Sequence, residues 1–339
     1  MVTITSRFFV SPYSSHEIVG GTEIIGHQYC KALDLKYISA RTIGAEQMEY
    51  WEISKNLDDW LRSEQHIDLL IRNSVVGTTF DFKKPNTDLD IAVCFEHFET
   101  EGKCLDDIGW RQEKNRRFER QLISIGSADI ISVLSNIEKD LFESNGFSNI
   151  KVIEPYVDTN IFYPKNRILC REELCLPKNK KISLFVGRAH KRKGFDVVLE
   201  AAEKFSDILF ISIFGHEIPR IKKPDNMIFL GNEDQESVNN YYNASDVLFM
   251  PSRYESFGLI YAEAMCCGLQ VIGYATGLLG KPKEFKNGIF INDGEYSKEK
   301  LFMMLNDALH NEYTSEDLER HRTRFSKSRF EKDCAELIK

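Results

Sequence analysis

Short apolar runs alternate with amphipathic stretches along the whole chain. In the first half, residues 3–10, 36–40, 68–72, 90–95, 130–134 and 150–154 read as strands, and residues 22–33, 57–63, 111–124 and 136–145 read as helices between them. The second half repeats the theme. Residues 182–186, 209–214, 227–230, 247–250 and 271–272 read as strands, with helices over 194–205, 236–242 and 257–267 and a mainly helical tail from 297 to 339. Strand–helix alternation predicts a parallel, doubly wound sheet in each half, with ligands beyond the carboxyl ends of its strands. Residues 157–166, edged by Pro155 and Pro164, read as the linker. The predicted organisation is therefore α/β, with one domain over residues 1–160 and a second over residues 161–339 that carries the C-terminal helices.

The most informative junction lies in the second half. A buried strand over 246–250 feeds a turn and then a helix whose Leu259, Ile260, Ala264 and Cys267 form an apolar face. The free N–H groups at Phe257, Gly258 and Leu259 would point at an anion, aided by the positive end of the helix dipole, and Gly258 permits close approach. Glu255 stands just before this anion site and Glu263 well into the helix. At helical rise they would be up to ~12 Å apart, about the length of a diphosphate with a sugar at one end and a ribose at the other. Each carboxylate can accept hydrogen bonds from a pair of hydroxyls. Taken alone, two solvated glutamates would give the same spacing.

Other strand ends carry compatible chemistry. Residues 184–188 end in Gly187 and Arg188, and a basic loop, Lys191, Arg192 and Lys193, leads through Gly194 into a helix. Arg188 and Lys193 can neutralise a diphosphate and the charge that grows as it leaves; a solvated basic loop is the plainer account. Gly215, in Phe214-Gly215-His216, and Asn232, in Gly231-Asn232-Glu233, end strands where backbone groups can read a base edge. Gly20 and Gly21, between the first strand and its helix, either close backbone amides on a ligand or form a plain turn.

These segments together resemble the retaining nucleotide-sugar glycosyltransferases of family 4. Residues 184–194 are similar to the family's loop carrying an Arg and a Lys for the donor diphosphate, residues 243–252 to the strand entering its glutamate motif, and residues 263–272 to the helix and strand after it. Gly20-Gly21-Thr22-Glu23 resembles the glycine-rich loop after the first strand, residues 128–135 a late strand of the first domain, and Val157, Asp158, Phe162 and Pro164 the crossover into the second. The resemblance covers nearly the whole chain and implies the GT-B fold, two Rossmann-like doubly wound domains facing a central cleft. It implies an acceptor-binding first domain and a donor-binding second one, with Glu263 on the ribose, Glu255 on the donor sugar, Arg188 and Lys193 on the diphosphate, and His97 touching the donor sugar. Glu96 beside His97 leaves that alignment open by one position. Reaction would proceed on one face with retention, without a metal or cofactor. The donor would be a nucleoside diphosphate sugar, UDP or GDP, and the acceptor a hydroxyl of a glycan, lipid or small molecule. Gln270 departs from the family's Pro, Tyr156 from its Gly, and Leu278 and Leu279 from the small residues that often receive the donor sugar. A non-catalytic sugar-nucleotide binder and another GT-B enzyme, such as a sugar-nucleotide epimerase, are the alternatives.

Composition narrows the picture further. A chain of 339 residues, 42% of them hydrophobic, suits two α/β cores. Its formal net charge of -8 argues against a general nucleic-acid binder. The eight cysteines are scattered without a C-x-x-C pair, and no H-x-E, H-E-x-x-H or aspartate-rich metal signature occurs. The first ten residues begin a strand and lack the pattern of a signal peptide, and no apolar run reaches membrane-spanning length. The expectation is a cytoplasmic protein. Arg111, Lys114, Arg116, Arg117 and Arg120 give one predicted helix a basic face, which suits either a salt-bridged surface or peripheral contact with the inner face of a membrane.

Overall fold

The structure, a computed structural model, describes residues 6–12, 21–44, 50–64, 66–74, 76, 84–95, 119, 121–215, 217–285, 288–292, 297–310 and 313–339. It divides into two compact units, residues 1–155 with 328–339, and residues 156–327.

The first unit runs β1 (Arg7–Val10), α1 (Gly21–Leu33), β2 (Lys36–Ile38), α2 (Tyr50–Ser63), β3 (Leu69–Asn73), β4 (Asp90–Cys94), β5 (Ile130–Val133), α3 (Asn136–Ser144) and β6 (Ile150–Val152). The strands form one parallel sheet in the order β2-β1-β3-β4-β5-β6. Every residue of β3 and β4 is buried, as expected for strands covered on both faces. The amphipathic α2 closes one face, placing Leu57 and Leu61 against Phe8, Val10 and Leu70. On α1, a Cβ at Gly26 would fall 2.8 Å from the Phe9 ring, so a hydrogen there lets the helix approach the sheet.

The centre of this sheet holds a charge pair with no exposure. Arg72 on β3 grips Asp90 on β4 through two bonds of 2.8 and 2.9 Å. Its remaining donors reach Val76 O at 2.9 Å, Ser124 O at 2.8 Å and Ser127 Oγ at 3.2 Å. Satisfying the whole guanidinium fork is what makes the buried pair tolerable, and it fixes the helical segment 121–126 over the sheet. Of the predicted helix over 111–124, residues 111–118 and 120 lie outside the described residues, as does the predicted strand start at 3–5.

The second unit runs α4 (Arg167–Glu173), β7 (Ile182–Val186), α5 (Phe195–Lys204), β8 (Leu209–Ile213), β9 (Met227–Leu230), α6 (Gln235–Ala244), β10 (Val247–Met250), α7 (Leu259–Cys266), β11 (Gln270–Tyr274), β12 (Ile289–Asn292), α8 (Lys298–Ala308) and α9 (Ser315–Arg324). Its parallel strands are ordered β12-β11-β10-β7-β8-β9, the doubly wound dinucleotide-fold order. Helix starts follow ordinary capping chemistry. Asn166, Asp234, Ser297 and Thr314 accept bonds from first-turn amides of α4, α6, α8 and α9.

From β7 the chain winds to one side through β8 and β9, then returns to the other through β10, β11 and β12. The switch point therefore lies between β7 and β10. At the amino ends of this pair, Asp246 accepts from the Ile182 amide at 2.8 Å and pairs with Arg171 at 2.8 Å. Arg171 also donates to Ala244 O at 2.8 Å and Lys178 O at 2.9 Å. The two strands are thus clamped at the edge opposite their ligand-binding ends.

Four features depart from the sequence reading. Helix α4 lacks an amphipathic signal because Ile168 and Leu169 project outward, and β12 is a short edge strand. The predicted linker over 157–166 packs onto the second unit: Val157 and Phe162 are buried, and Lys165 N donates to Asn243 Oδ1 at 2.5 Å. The final helix α10 (Lys327–Leu337) leaves the second unit and joins the first, where the expected division at 160/161 kept it in the second. The reason is a buried aromatic. Phe330 is fully buried and meets Tyr29 edge-on at 5.4 Å, while Arg329 donates to Pro155 O at 3.3 Å.

Removing that aromatic should be felt in the first unit. Phe330→Ala is expected to lose about 3–5 kcal/mol of stability there. Hydrogen exchange should then accelerate in α1 and β1 while β7, β8 and β10 keep their protection.

Candidate functional site

The carboxyl edge of the second sheet gathers three loops, each locked by a glycine. After β7, Gly194 adopts φ +73°, and a Cβ there would lie 1.9 Å from Pro251 O in the loop after β10. The same two loops are tied by Arg253 N to Arg192 O at 2.8 Å and by Arg253 gripping Asp196 through two 2.7 Å bonds. After β11, Gly277 at φ +53° would place a Cβ 2.6 Å from Phe257 O and 2.9 Å from Glu255 O. Leu278 N donates to Phe257 O, and Glu255 N donates to Thr276 Oγ1, both at 2.8 Å.

Within this frame Glu255 sits nearly buried beside Lys193, with Nζ to Oε1 at 2.6 Å. Burial pushes the Glu255 carboxyl up, but Lys193 and Arg192 beside it bring it below its ordinary range. Burial pushes the Lys193 ammonium down, and this outweighs the pull of Glu255. Both shifts are compatible with an ion pair, and the lowered Lys193 marks a cation short of solvation.

Helix α7 begins at Leu259, two residues later than the sequence suggests. Gly258 forms its N-cap at φ +86°, where a Cβ would meet the Tyr261 ring at 2.5 Å, and no side chain caps the helix. Helix geometry leaves the first amides without intrahelical partners, pointing from the switch-point side. Phe257 is buried and its carbonyl is taken by Leu278, so the residue serves the frame through its backbone.

Glu263, one helical turn further, has a different environment. It is 9% exposed, and Tyr242 on α6 donates to its Oε2 at 2.9 Å. Burial raises its carboxyl to about 7, with the Tyr242 bond opposing the rise.

Of the remaining expected residues, Gly187, Arg188, Gly215 and Asn232 fall on the same edge. Gly187 continues β7, donating its amide to Ile213 O at 2.9 Å, and Arg188 follows it with an exposed side chain. Gly215 ends β8 with open space where a Cβ would stand, and exposed Asn232 follows β9. In the first unit Gly21 opens α1, while Gly20, Glu96 and His97, like His216, lie outside the described residues. Leu278 and Leu279 are buried, and their amides are taken by Phe257 O and Thr276 O. Sequence reasoning missed Thr276, Arg253 and Tyr242. Arg253 lies two residues before Glu255, in the turn between β10 and α7, whereas no local spacing links Tyr242 to Glu263.

Comparison with known proteins agrees with this geometry. The family model "Glycosyl transferases group 1" matches residues 167–328. That stretch is similar to the family from α4 to the end of α9. Over 155 residues the chain is 33% identical to a D-inositol 3-phosphate glycosyltransferase of Mycolicibacterium smegmatis; that alignment covers 42% of this chain and 35% of the relative, so the chain spans about a third of the curated relatives it matches. Solved structures share the fold over nearly the whole chain. The sucrose-phosphate synthase of Thermosynechococcus elongatus superposes with a TM-score of 0.81 at 18% identity, covering 98% of both chains. The Anabaena protein HepE, solved with UDP and glucose, does so with a TM-score of 0.73 at 16% identity, covering 98% of this chain and 99% of its own. The fold is GT-B, as the resemblance implied. Among the described residues, no helix of this glycosyltransferase fold is long and apolar enough to cross a membrane.

Glu263 should make the ligand-free domain less stable as pH rises. Its folded value near 7 lies above the ordinary 4.5, so the unfolded chain releases the proton first. Stability from this group is full below pH 4.5 and is lost towards pH 7, by about 3 kcal/mol. Glu263→Gln keeps the acceptor for Tyr242 and cannot ionise. Denaturant titrations should show it gaining about 1–3 kcal/mol on the parent at pH 8 and little at pH 4.5; a gap that does not grow with pH would mean an ordinary carboxyl.

Proposed function

We propose that the protein is a retaining glycosyltransferase that moves a sugar from a nucleoside diphosphate sugar, a UDP or GDP sugar, to a hydroxyl acceptor. The observation that carries this reading is the buried Lys193–Glu255 pair beside the uncapped start of α7, at the switch point of the second sheet. An anion entering there meets the helix amides, Lys193 and Arg188 together. The match of residues 167–328 to group 1 glycosyltransferases supports it, as does the binding of UDP and glucose by a protein of the same fold.

The chemistry follows from what each group can do. Lys193 Nζ can turn from Glu255 to a phosphate oxygen, gaining a stronger anion and freeing Glu255 Oε1 to accept sugar hydroxyls. The diphosphate then leaves against the helix amides, Arg188 and Lys193, whose charge acts most strongly when the departing oxygen carries most charge. Glu263, further along α7, accepts from the ribose diol. Gly215 and Asn232 line the open ends of β8 and β9 for the base. No step calls for a metal. Attack by the acceptor hydroxyl on the face the phosphate leaves gives retention. The chain would act in the cytoplasm, on a glycan, a lipid-linked acceptor or a small molecule, with any contact to a membrane peripheral.

A thermal-shift series with UDP, GDP, ADP and TDP sugars tests the donor site directly. At least one should stabilise the protein, and a flat series would reject the reading. Arg188 suits mutagenesis because it is exposed and its loss leaves no buried charge. Arg188→Ala is expected to lower kcat by about 10²-fold with less than tenfold change in donor KM. A loss confined to KM would place Arg188 in ground-state binding alone. Proton NMR of donor turnover should show the starting anomeric configuration in the product, and inversion would exclude the retaining assignment.

A further inference from the structure

The two acidic residues of the donor junction differ in their partners. Glu255 has a lysine; Glu263 has only a phenol. Tyr242 is 1% exposed, and its O–H reaches Glu263 Oε2 at 2.9 Å. Among the described residues, the other oxygen of Glu263 accepts no hydrogen bond, and the side chain keeps its residual exposure.

Tyr242 is itself held from behind. Its ring lies against Phe162, with centroids 6.0 Å apart. Phe162 belongs to the crossover segment, whose Tyr163 O and Lys165 N bond the side chain of Asn243, the residue after Tyr242, at 3.0 and 2.5 Å. Arg322 on α9 reaches the Phe162 and Cys266 carbonyls at 3.4 and 3.2 Å. The phenol therefore approaches Glu263 from a fixed direction.

We propose that Tyr242 is a positioning residue of the donor site: its O–H occupies Oε2 of Glu263 and so presents Oε1, as an ionised acceptor, to the ribose diol of a nucleoside diphosphate. This rests on reading the second unit as the nucleotide-sugar site. It goes further in making donor affinity proton-linked through one side chain that never touches the ligand.

The surroundings of Glu263 leave the phenol that role. On its own helix stand the thiols of Cys266, pushed up to about 12 by burial, and Cys267, also raised by burial. From α6 comes Tyr242, whose phenol is raised by burial and by the neighbouring carboxylate, so it donates. From α9 comes Arg322, spent on backbone carbonyls. Burial raises the Glu263 carboxyl, and only the Tyr242 bond is found to lower it. Protonated Glu263 would turn a donor towards hydroxyls that need an acceptor, so nucleotide should bind more weakly as pH falls through the Glu263 midpoint.

Isothermal titration of UDP and GDP into the parent, Tyr242→Phe and Glu263→Gln, from pH 6 to 9, decides the matter. In the parent, affinity for the better nucleotide should rise about tenfold across the range, and in Glu263→Gln the curve should be flat. Tyr242→Phe should move the midpoint up by about one pH unit, so that affinity falls about five- to tenfold at pH 7 and recovers to within about threefold at pH 9. A merely structural role for the ring would lower affinity by the same factor at every pH, and that parallel curve overturns the proposal. So does an unchanged curve. Replacing Tyr242 by 3,5-difluorotyrosine, a stronger donor of the same shape, should move the midpoint down, and it decides the question if the phenylalanine variant does not fold. Failure of the parent to bind either nucleotide at any pH would reject the donor site itself, whereas normal parental binding with a pH-parallel Tyr242→Phe would reject only the role given to Tyr242.

Discussion

The contact between Lys193 and Glu255 sets the terms for the second unit. A lysine and a glutamate 2.6 Å apart and mostly out of water are tolerable only if each is held where the other can satisfy it. That holding is done by backbone. Gly194 lets the loop after β7 close on Pro251, and Gly277 lets the loop after β11 close on Glu255. Arg253 and Asp196 fasten the first two loops from outside. An anion offered to this frame can take the lysine from the glutamate without leaving a buried charge alone, because the glutamate then meets hydroxyl donors instead.

The two glutamates show how one helix junction can hold two carboxylates in different states. Glu255, beside two basic residues, stays ionised despite burial. Glu263, with a phenol for company, sits near neutrality. The difference follows from which elements reach each position: the loop after β7 brings cations to the first, and α6 brings an aromatic residue to the second. As pH falls, Glu263 would therefore lose its charge well before Glu255 does.

Each unit also carries a buried arginine–aspartate clamp. In the first, Arg72 and Asp90 join β3 to β4 within the sheet; in the second, Arg171 and Asp246 join the starts of β7 and β10 through the Ile182 amide. Both arginines also donate to backbone carbonyls. Such clamps specify strand neighbours more than they add stability, since a buried pair of this kind offsets much of its attraction by desolvation. In the second unit the clamp fixes the two strands whose opposite ends carry the Lys193 and Glu255 loops.

The alternation of apolar runs determined the two parallel sheets and their strands from β1 to β11, because a short continuous apolar run bounded by turn residues, and a helix's apolar face, are local properties of the chain. It also brought Arg188, Lys193 and Glu255 to the loops after β7 and β10, and Gly258 and Glu263 to the start and middle of α7, since the order of strand and helix fixes which loops share the carboxyl edge. Sequence could not supply what depends on distant pieces meeting. Helix α10 returned to the first unit because Phe330 finds Tyr29, some three hundred residues earlier. The start of α7 moved to Leu259 because Gly277 and Leu278 take up the Phe257 carbonyl and Glu255 backbone. The partner of Glu263 stayed hidden for the same reason: Tyr242 lies on another helix, and only packing decided that a phenol and not a cation would face that carboxylate.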